Sequence, residues 1–106
     1  MRGLFHPAKQ DIALAQVMHA LSDPVRLELL ARVAAVDGEP CTAVAGDIDV
    51  HKSTLSHHYR VLREAGLTMT TVDGRTRVVR LRRDDLDDLF PGLLDAVLAA
   101  FRKHGA

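Results

Sequence analysis

The run LTMTTVDGRTRVVRL, Leu67 to Leu81, most constrains what this chain can fold into, because its pattern is strand-like while its surroundings read as helices. Threonine and valine dominate it, and Asp73-Gly74 is a strong signal for a two-residue hairpin turn with positive φ. The spacing predicts strands over about 67–72 and 75–81. A first helix is expected in DIALAQVMHAL, with Asp11 as its cap and Ile12, Ala15 and Met18 recurring at helical spacing beside Leu14 and Leu21. SDPVRLELLARVAAV follows, with Ser22 and Asp23 as cap candidates and Pro24 in the first turn, where a missing N–H costs nothing. Its stripe is expected to be Leu27, Leu30, Ala31 and Ala34, ended by Gly38. EPCTAVAGDI reads as a short third helix with Val44 and Ile48 inward. STLSHHYRVLREA reads as a fourth, capped by Ser53 and closed by Gly66.

After the hairpin, DDLDDLFPGLLDAVLAAFRKH forms one long helix or two, interrupted near Pro91-Gly92. Its apolar residues cover too wide a face for a free surface helix. Acids crowd its first turn and Arg102, Lys103 and His104 its last, which complements the helix dipole. Four helices, a hairpin and a C-terminal helical segment make a mainly α chain with a β-hairpin wing, the layout of a winged helix-turn-helix. No internal repeat or long linker divides it, so residues 1–106 are expected to be one domain.

Composition narrows the partners. Lys plus Arg equal Asp plus Glu at 14 each, so the formal net charge is zero. That zero is a sum of unlike parts. Residues 50–83 carry eight cations against Glu64 and Asp73, a net of +6, while the segments on either side each carry −3. A basic middle between acidic flanks points to a polyanionic partner for the middle, or else to a solvated basic surface. Aromatics are 4% of the chain with no Trp, so the core rests on Leu, Val and Ala, and a second subunit is expected to complete it. IALAQVMHAL and LLDAVLAAF are about half the length that spans a bilayer, and MRGLFHP lacks the apolar region of a signal peptide. With one cysteine, Cys41, no intrachain disulfide can form, and a cytoplasmic protein is expected.

The fourth helix carries the chemistry. At about 100° per residue, Leu55, Tyr59, Leu62 and Ala65 make its inward stripe. Ser53, His57, Arg60 and Glu64 fall on the opposite side, Ser56 and Arg63 border that face, and His58 and Thr54 lie on the other flank. Adjacent His57 and His58 therefore diverge. A helical metal pair needs ligands three or four apart, and Val61 and Leu62 stand where the fourth-neighbour partners would be. No nucleophile in a strained turn and no Gly-rich phosphate loop supports catalysis. An outward face of Ser, His, Arg and Lys suits a DNA major groove, whose base edges and phosphates accept from hydroxyls, imidazoles and guanidinium forks. Amides near Ser53 and Thr54 can also receive a phosphate.

ALSDPVRLELL, STLSHHYRVLREAGL and DGRTRVVRL, in this order and spacing, resemble the ArsR/SmtB family of bacterial transcriptional repressors over about residues 11–100. The resemblance implies a homodimer whose fourth helices enter successive major grooves of an inverted-repeat operator, with the wings along the DNA backbone. By residue match, Ser53, Thr54, Ser56, His57 and His58 are the implied recognition-helix contacts, and Arg75 and Arg77 the wing contacts. Lys52 and Arg60 join Arg75 and Arg77 as expected phosphate contacts, while Ser56 and His57 lie nearest base edges. Tyr59 departs from the family's usual Leu and needs a partner for its hydroxyl. The dimer interface is expected from Ile12, Ala15 and Met18 of the first helix and Leu89, Leu93, Val97 and Phe101 of the last. A winged-helix protein-interaction module without DNA binding is the rival reading.

The family resemblance also implies an effector, often a metal ion. The family's Cys-x-Cys falls on Pro40 and Thr42, with Cys41 between them, and one thiol cannot build that site. The zinc pattern on the last helix falls on Asp85, Asp87, Leu98 and Phe101, or on Asp88, Phe90, Phe101 and His104, and neither set is usable. Asp84, Asp85, Asp87 and Asp88 read as a dipole-stabilised first turn. His6, His19 and His104 could meet only if the first and last helices pack at a dimer interface. Cys41 reads as a buried thiol with no resolving partner in its own chain. No cofactor or metal is therefore expected, and the effector is left open.

Overall fold

The computed structural model describes residues 4–106, so Met1–Gly3, the start of MRGLFHP and of the expected 1–106 domain, lie outside the described residues. A 3₁₀ turn at Lys9–Asp11 leads into α1 (Leu14–Ala20) and α2 (Pro24–Ala34). Then come β1 (Glu39–Pro40), α3 (Cys41–Ala45), α4 (Lys52–Glu64), β2 (Thr68–Asp73), β3 (Thr76–Leu81), α5 (Arg83–Leu89) and α6 (Leu93–His104).

Helix α2 is the central post. Asp23 caps it, its Oδ1 accepting from the Val25 amide at 2.8 Å and the Arg26 amide at 3.2 Å, and Pro24 occupies the first turn. Its buried stripe is Arg26, Leu29, Leu30 and Val33. The expected stripe of Leu27, Leu30, Ala31 and Ala34 is rotated from this one, because α2 is packed on α3, α4, β3 and α6 and each neighbour claims part of its circumference. Leu29, Leu30 and Val33 meet Val17, Leu62, Leu67, Val79, Leu86, Leu94 and Leu98 in one core.

Helix α1 starts later than its sequence pattern suggests. Asp11 belongs to the 3₁₀ turn, and the helix opens after Ala13 without a side-chain cap. Ile12 is consequently not on the helix and not on its outer face. It is buried in its own protomer's core, against Gly66. Gly66 has φ +91°, and a Cβ there would lie 2.6 Å from Ile12 Cγ1, so the elbow after α4 admits only glycine. The expected dimer contact at Ile12 is therefore corrected: its surface is already spent.

The hairpin forms with Thr68 opposite Leu81 and Asp73 opposite Thr76. Its two-residue turn is thus Gly74-Arg75, one residue beyond the expected Asp73-Gly74. Gly74 alone has positive φ, as the first central residue of a type II′ turn requires. A third strand was not visible in the sequence. Glu39 and Pro40 pair with Val79 and Val78, giving the sheet order β1-β3-β2. The C-terminal segment is two helices, parted at Gly92 with φ +83°.

Candidate nucleic-acid interface

Three anchors hold α4 on the domain. Leu62 is fully buried, Tyr59 is buried with its hydroxyl donating to the Cys41 carbonyl at 2.6 Å, and Leu55 is half-buried beside them. The Tyr59 bond supplies the partner its phenol needs and ties α4 to the start of α3. Burial pushes the Tyr59 phenol well up, so it is a fixed donor at neutral pH.

The fourth anchor corrects an expectation. His58, implied as a DNA contact, is only 7% exposed and faces the interior. Its Nδ1 lies 3.2 Å from Nη1 of Arg26, itself 7% exposed. A guanidinium only donates, so Nδ1 accepts and the imidazole is neutral with its proton on Nε2. Arg26 also donates from Nε to the Ala20 carbonyl at 2.6 Å and from Nη2 to the His19 carbonyl at 3.4 Å. Burial first, then Arg26 and His57, push the His58 imidazole below its ordinary range, with Asp23 pulling the other way. The same cluster acts on Asp23. Burial opposes its ionisation, yet the two capping amides and the Arg26 guanidinium outweigh it and hold the carboxyl low. The helical angle of His58, close to that of Ala65, was the signal for this inward position.

The outer face of α4 carries Lys52, Ser53, Thr54, Ser56, His57 and Arg60, all exposed. Ser53 does not cap the helix; His51 does, its Nδ1 accepting from the Ser53 amide at 3.3 Å, with the Ser53 hydroxyl 2.9 Å away. Arg60 Nη2 is 3.1 Å from His57 Nδ1, one turn back, so the two side chains present one polar surface. On the wing Arg75, Thr76 and Arg77 are exposed. Lys52, Ser56, Arg60, Arg75 and Arg77 line one cavity of ≈ 590 Å³ between α4 and the hairpin, together with Arg63, whose helical angle only borders the outer face. Ser53, Thr54 and His57 share the helix face but not this cavity. Among the described residues, none of Lys52, Arg60, Arg63, Arg75 and Arg77 forms a salt bridge.

The candidate effector ligands do not converge within the described chain. His6 Nε2 accepts from the Thr70 amide at 2.9 Å, and no cluster of three His, Cys, Asp or Glu side chains suited to a metal is found among the described residues. Cys41 is half-buried, and its burial raises the thiol above its ordinary value despite nearby Arg77 and Arg63.

A short polar link from α3 into an exposed cationic helix, backed by a basic hairpin, defines a winged helix-turn-helix DNA-binding domain. Residues 21–71 match a family model described as a helix-turn-helix domain. The chain is 41% identical over 89 residues to the uncharacterized HTH-type transcriptional regulator YceK of Bacillus subtilis, covering 82% of this chain and 88% of that one. Among solved structures it is similar to the transcriptional repressor BigR from Xylella fastidiosa, with a TM-score of 0.64, 26% identity, and 88% and 87% of the two chains covered. It is also similar to the homodimeric winged helix-turn-helix DNA-binding domain of a possible ArsR-family transcriptional regulator from Mycobacterium bovis, with a TM-score of 0.65, 25% identity, and coverage of 82% and 79%. The protein belongs to the ArsR/SmtB family of winged helix-turn-helix transcriptional regulators.

Proposed function

We propose that the protein is a repressor that binds an inverted-repeat DNA operator as a homodimer and is released by an effector. The observation that carries the reading is the set of four exposed cations on α4 and the wing, Lys52, Arg60, Arg75 and Arg77, that no acid of the described chain neutralises. Phosphate contacts come from Lys52, Arg60, Arg75 and Arg77, with Ser56 and His57 nearest base edges and Ser53 and Thr54 at the helix start. His58 contributes by seating α4, not by touching DNA.

The dimer reading is supported by apolar surface that one chain leaves uncovered. Leu14 and Met18 are each 50% exposed on α1, Ala15 lies beside them, and Leu89, Leu93, Val97 and Phe101 are only partly covered on α5 and α6. The homodimeric Mycobacterium bovis domain supports it independently. Repression is supported by the likeness to BigR. A cytoplasmic site of action follows from the role; no described helix is long and apolar enough to cross a membrane.

Selection of duplexes from a random pool, followed by anisotropy titration of the enriched sequence over a salt series, tests the proposal. The expected outcome is an enriched inverted repeat, bound by two chains, with affinity that falls steeply with salt. Absence of duplex binding at low salt would favour a protein-interaction module instead.

A further inference from the structure

The cavity between α4 and the wing has a floor as well as a cationic rim. Tyr59 and Thr70 are buried, and Pro40, Cys41, Leu55 and Arg63 are half-buried, whereas the rim side chains Lys52, Arg60, Arg75 and Arg77 are exposed. A volume of ≈ 590 Å³ is that of a small-molecule cleft and does not admit a duplex. DNA phosphates can meet the rim but not fill the floor.

Arg63 is the group the DNA reading leaves unused. Its Nε is buried without a hydrogen-bond partner, and the guanidinium has no salt bridge among the described residues. A buried donor without an acceptor is costly, and a guanidinium fork is built to take an oxyanion. Burial lowers the Arg63 pKa and neighbouring Arg77 and Arg60 lower it further, against the pull of Glu64, so a bound anion would relieve all three charges. The apolar part of the floor is the Tyr59 ring, Leu55, Pro40 and the Cys41 side chain.

We propose that this cavity binds a small organic oxyanion, with its anionic head on Arg63 and the rim arginines and an apolar body on Tyr59 and Leu55, and that its occupation excludes DNA. The inference deepens the operator-binding reading, on which its second half rests. The ligand and the phosphate backbone then compete for Arg60, Arg75 and Arg77, so release from DNA needs no change of fold.

Phenyl phosphate serves as the probe and benzyl alcohol as its neutral counterpart, at constant ionic strength. Cys41, the only cysteine, reports on the floor through its rate of alkylation by iodoacetamide, measured without DNA. Saturating phenyl phosphate is expected to slow alkylation about fivefold or more and weaken operator binding about tenfold, a competition of ordinary size. Benzyl alcohol should do neither. Arg63→Gln should abolish both effects while changing operator affinity in the absence of probe less than about twofold. Equal protection by the two probes, or none by phenyl phosphate, overturns the site, and neither outcome depends on a variant that must fold. Protection of Cys41 in wild type with unchanged operator affinity overturns the exclusion alone. Should the protein bind no DNA at all, the alkylation arm still decides the site.

Discussion

Two sets of basic side chains in this molecule look alike in sequence and behave as opposites in the fold. Arg82 is nearly buried and donates to Asp85 at 2.8 Å and to the Pro7 carbonyl at 2.8 Å; Arg83 reaches Asp95 at 3.1 Å; Arg32 holds Glu28 and Asp47; Lys9 pairs with Asp88. Each of these cations is spent on the protein itself. Lys52, Arg60, Arg63, Arg75 and Arg77 face one cavity and have no acidic partner within salt-bridge distance among the described residues. Like charges held close without neutralisation repel one another, so they persist where a partner supplies the missing charge. The acids that flank the basic middle of the sequence sort the two sets. Asp85 and Asp87 serve Arg82 and Arg83 at the start of α5, Asp88 serves Lys9, and none of them forms a salt bridge with the wing.

That comparison breaks first under charge reversal. Replacing Arg75 and Arg77 together with Glu should cost more than about a hundredfold in operator affinity and reduce the salt slope by about two. Urea unfolding should meanwhile shift by no more than about 0.5 kcal/mol, as for other surface changes. An equal loss of stability would mean these arginines also belong to the fold. Within the cationic set, Arg77→Ala should weaken all duplexes, whereas His57→Ala should mainly erode preference for the operator, as paired titrations on specific and random DNA will show.

The paired set should fail in the opposite way. Arg82→Ala leaves the Pro7 carbonyl and Asp85 without their donor and should cost about 1–3 kcal/mol in urea unfolding, with operator affinity of the folded protein unchanged within about twofold. A smaller effect comes from pH. Above the ordinary imidazole value of about 6.5, His58 is neutral both folded and unfolded. As pH falls below that value the unfolded chain takes the proton first, because burial and Arg26 hold the folded pKa down. Stability is therefore present above about 6.5 and lost progressively below it. His6, also pushed down by burial and by Arg63 and Arg82, acts with the same sign. Urea midpoints between pH 7.5 and 5 should fall in wild type and fall less in His58→Gln, whose amide oxygen can still accept from Arg26. The least effect is expected at the exposed Lys9–Asp88 pair, where Lys9→Ala should leave the urea midpoint indistinguishable from wild type.

Local chemistry decided what could be read from the sequence. Asp23-Pro24 announced α2, Gly66 the end of α4, and the Thr/Val run the hairpin, because each is a property of neighbouring residues. Non-local contacts hid the rest. Glu39-Pro40 has no strand signature and becomes β1 only because Val78 and Val79 are there to pair with it. Ile12 fits a helical stripe but is drawn out of it by the space above Gly66. Arg26 sits within an apolar stripe and is tolerated there because two carbonyls and the His58 ring accept its protons. Once that partner is known, His58 ceases to be a reader of DNA. The family pattern places it among the DNA contacts, whereas its helical angle, beside that of Ala65, places it inward.

The short strand β1 sets the degrees of freedom of the whole reading head. Its residues immediately precede Cys41, where α3 begins, and they share a sheet with β3 of the wing. Tyr59 meanwhile fastens α4 to the Cys41 carbonyl. Wing, first helix of the motif and recognition helix thus meet at one point of the backbone, so a shift of any one of them must strain the β1–β3 pairing or the Tyr59 hydrogen bond. In the proposed dimer, what the two units can adjust on a duplex is the angle and distance between them.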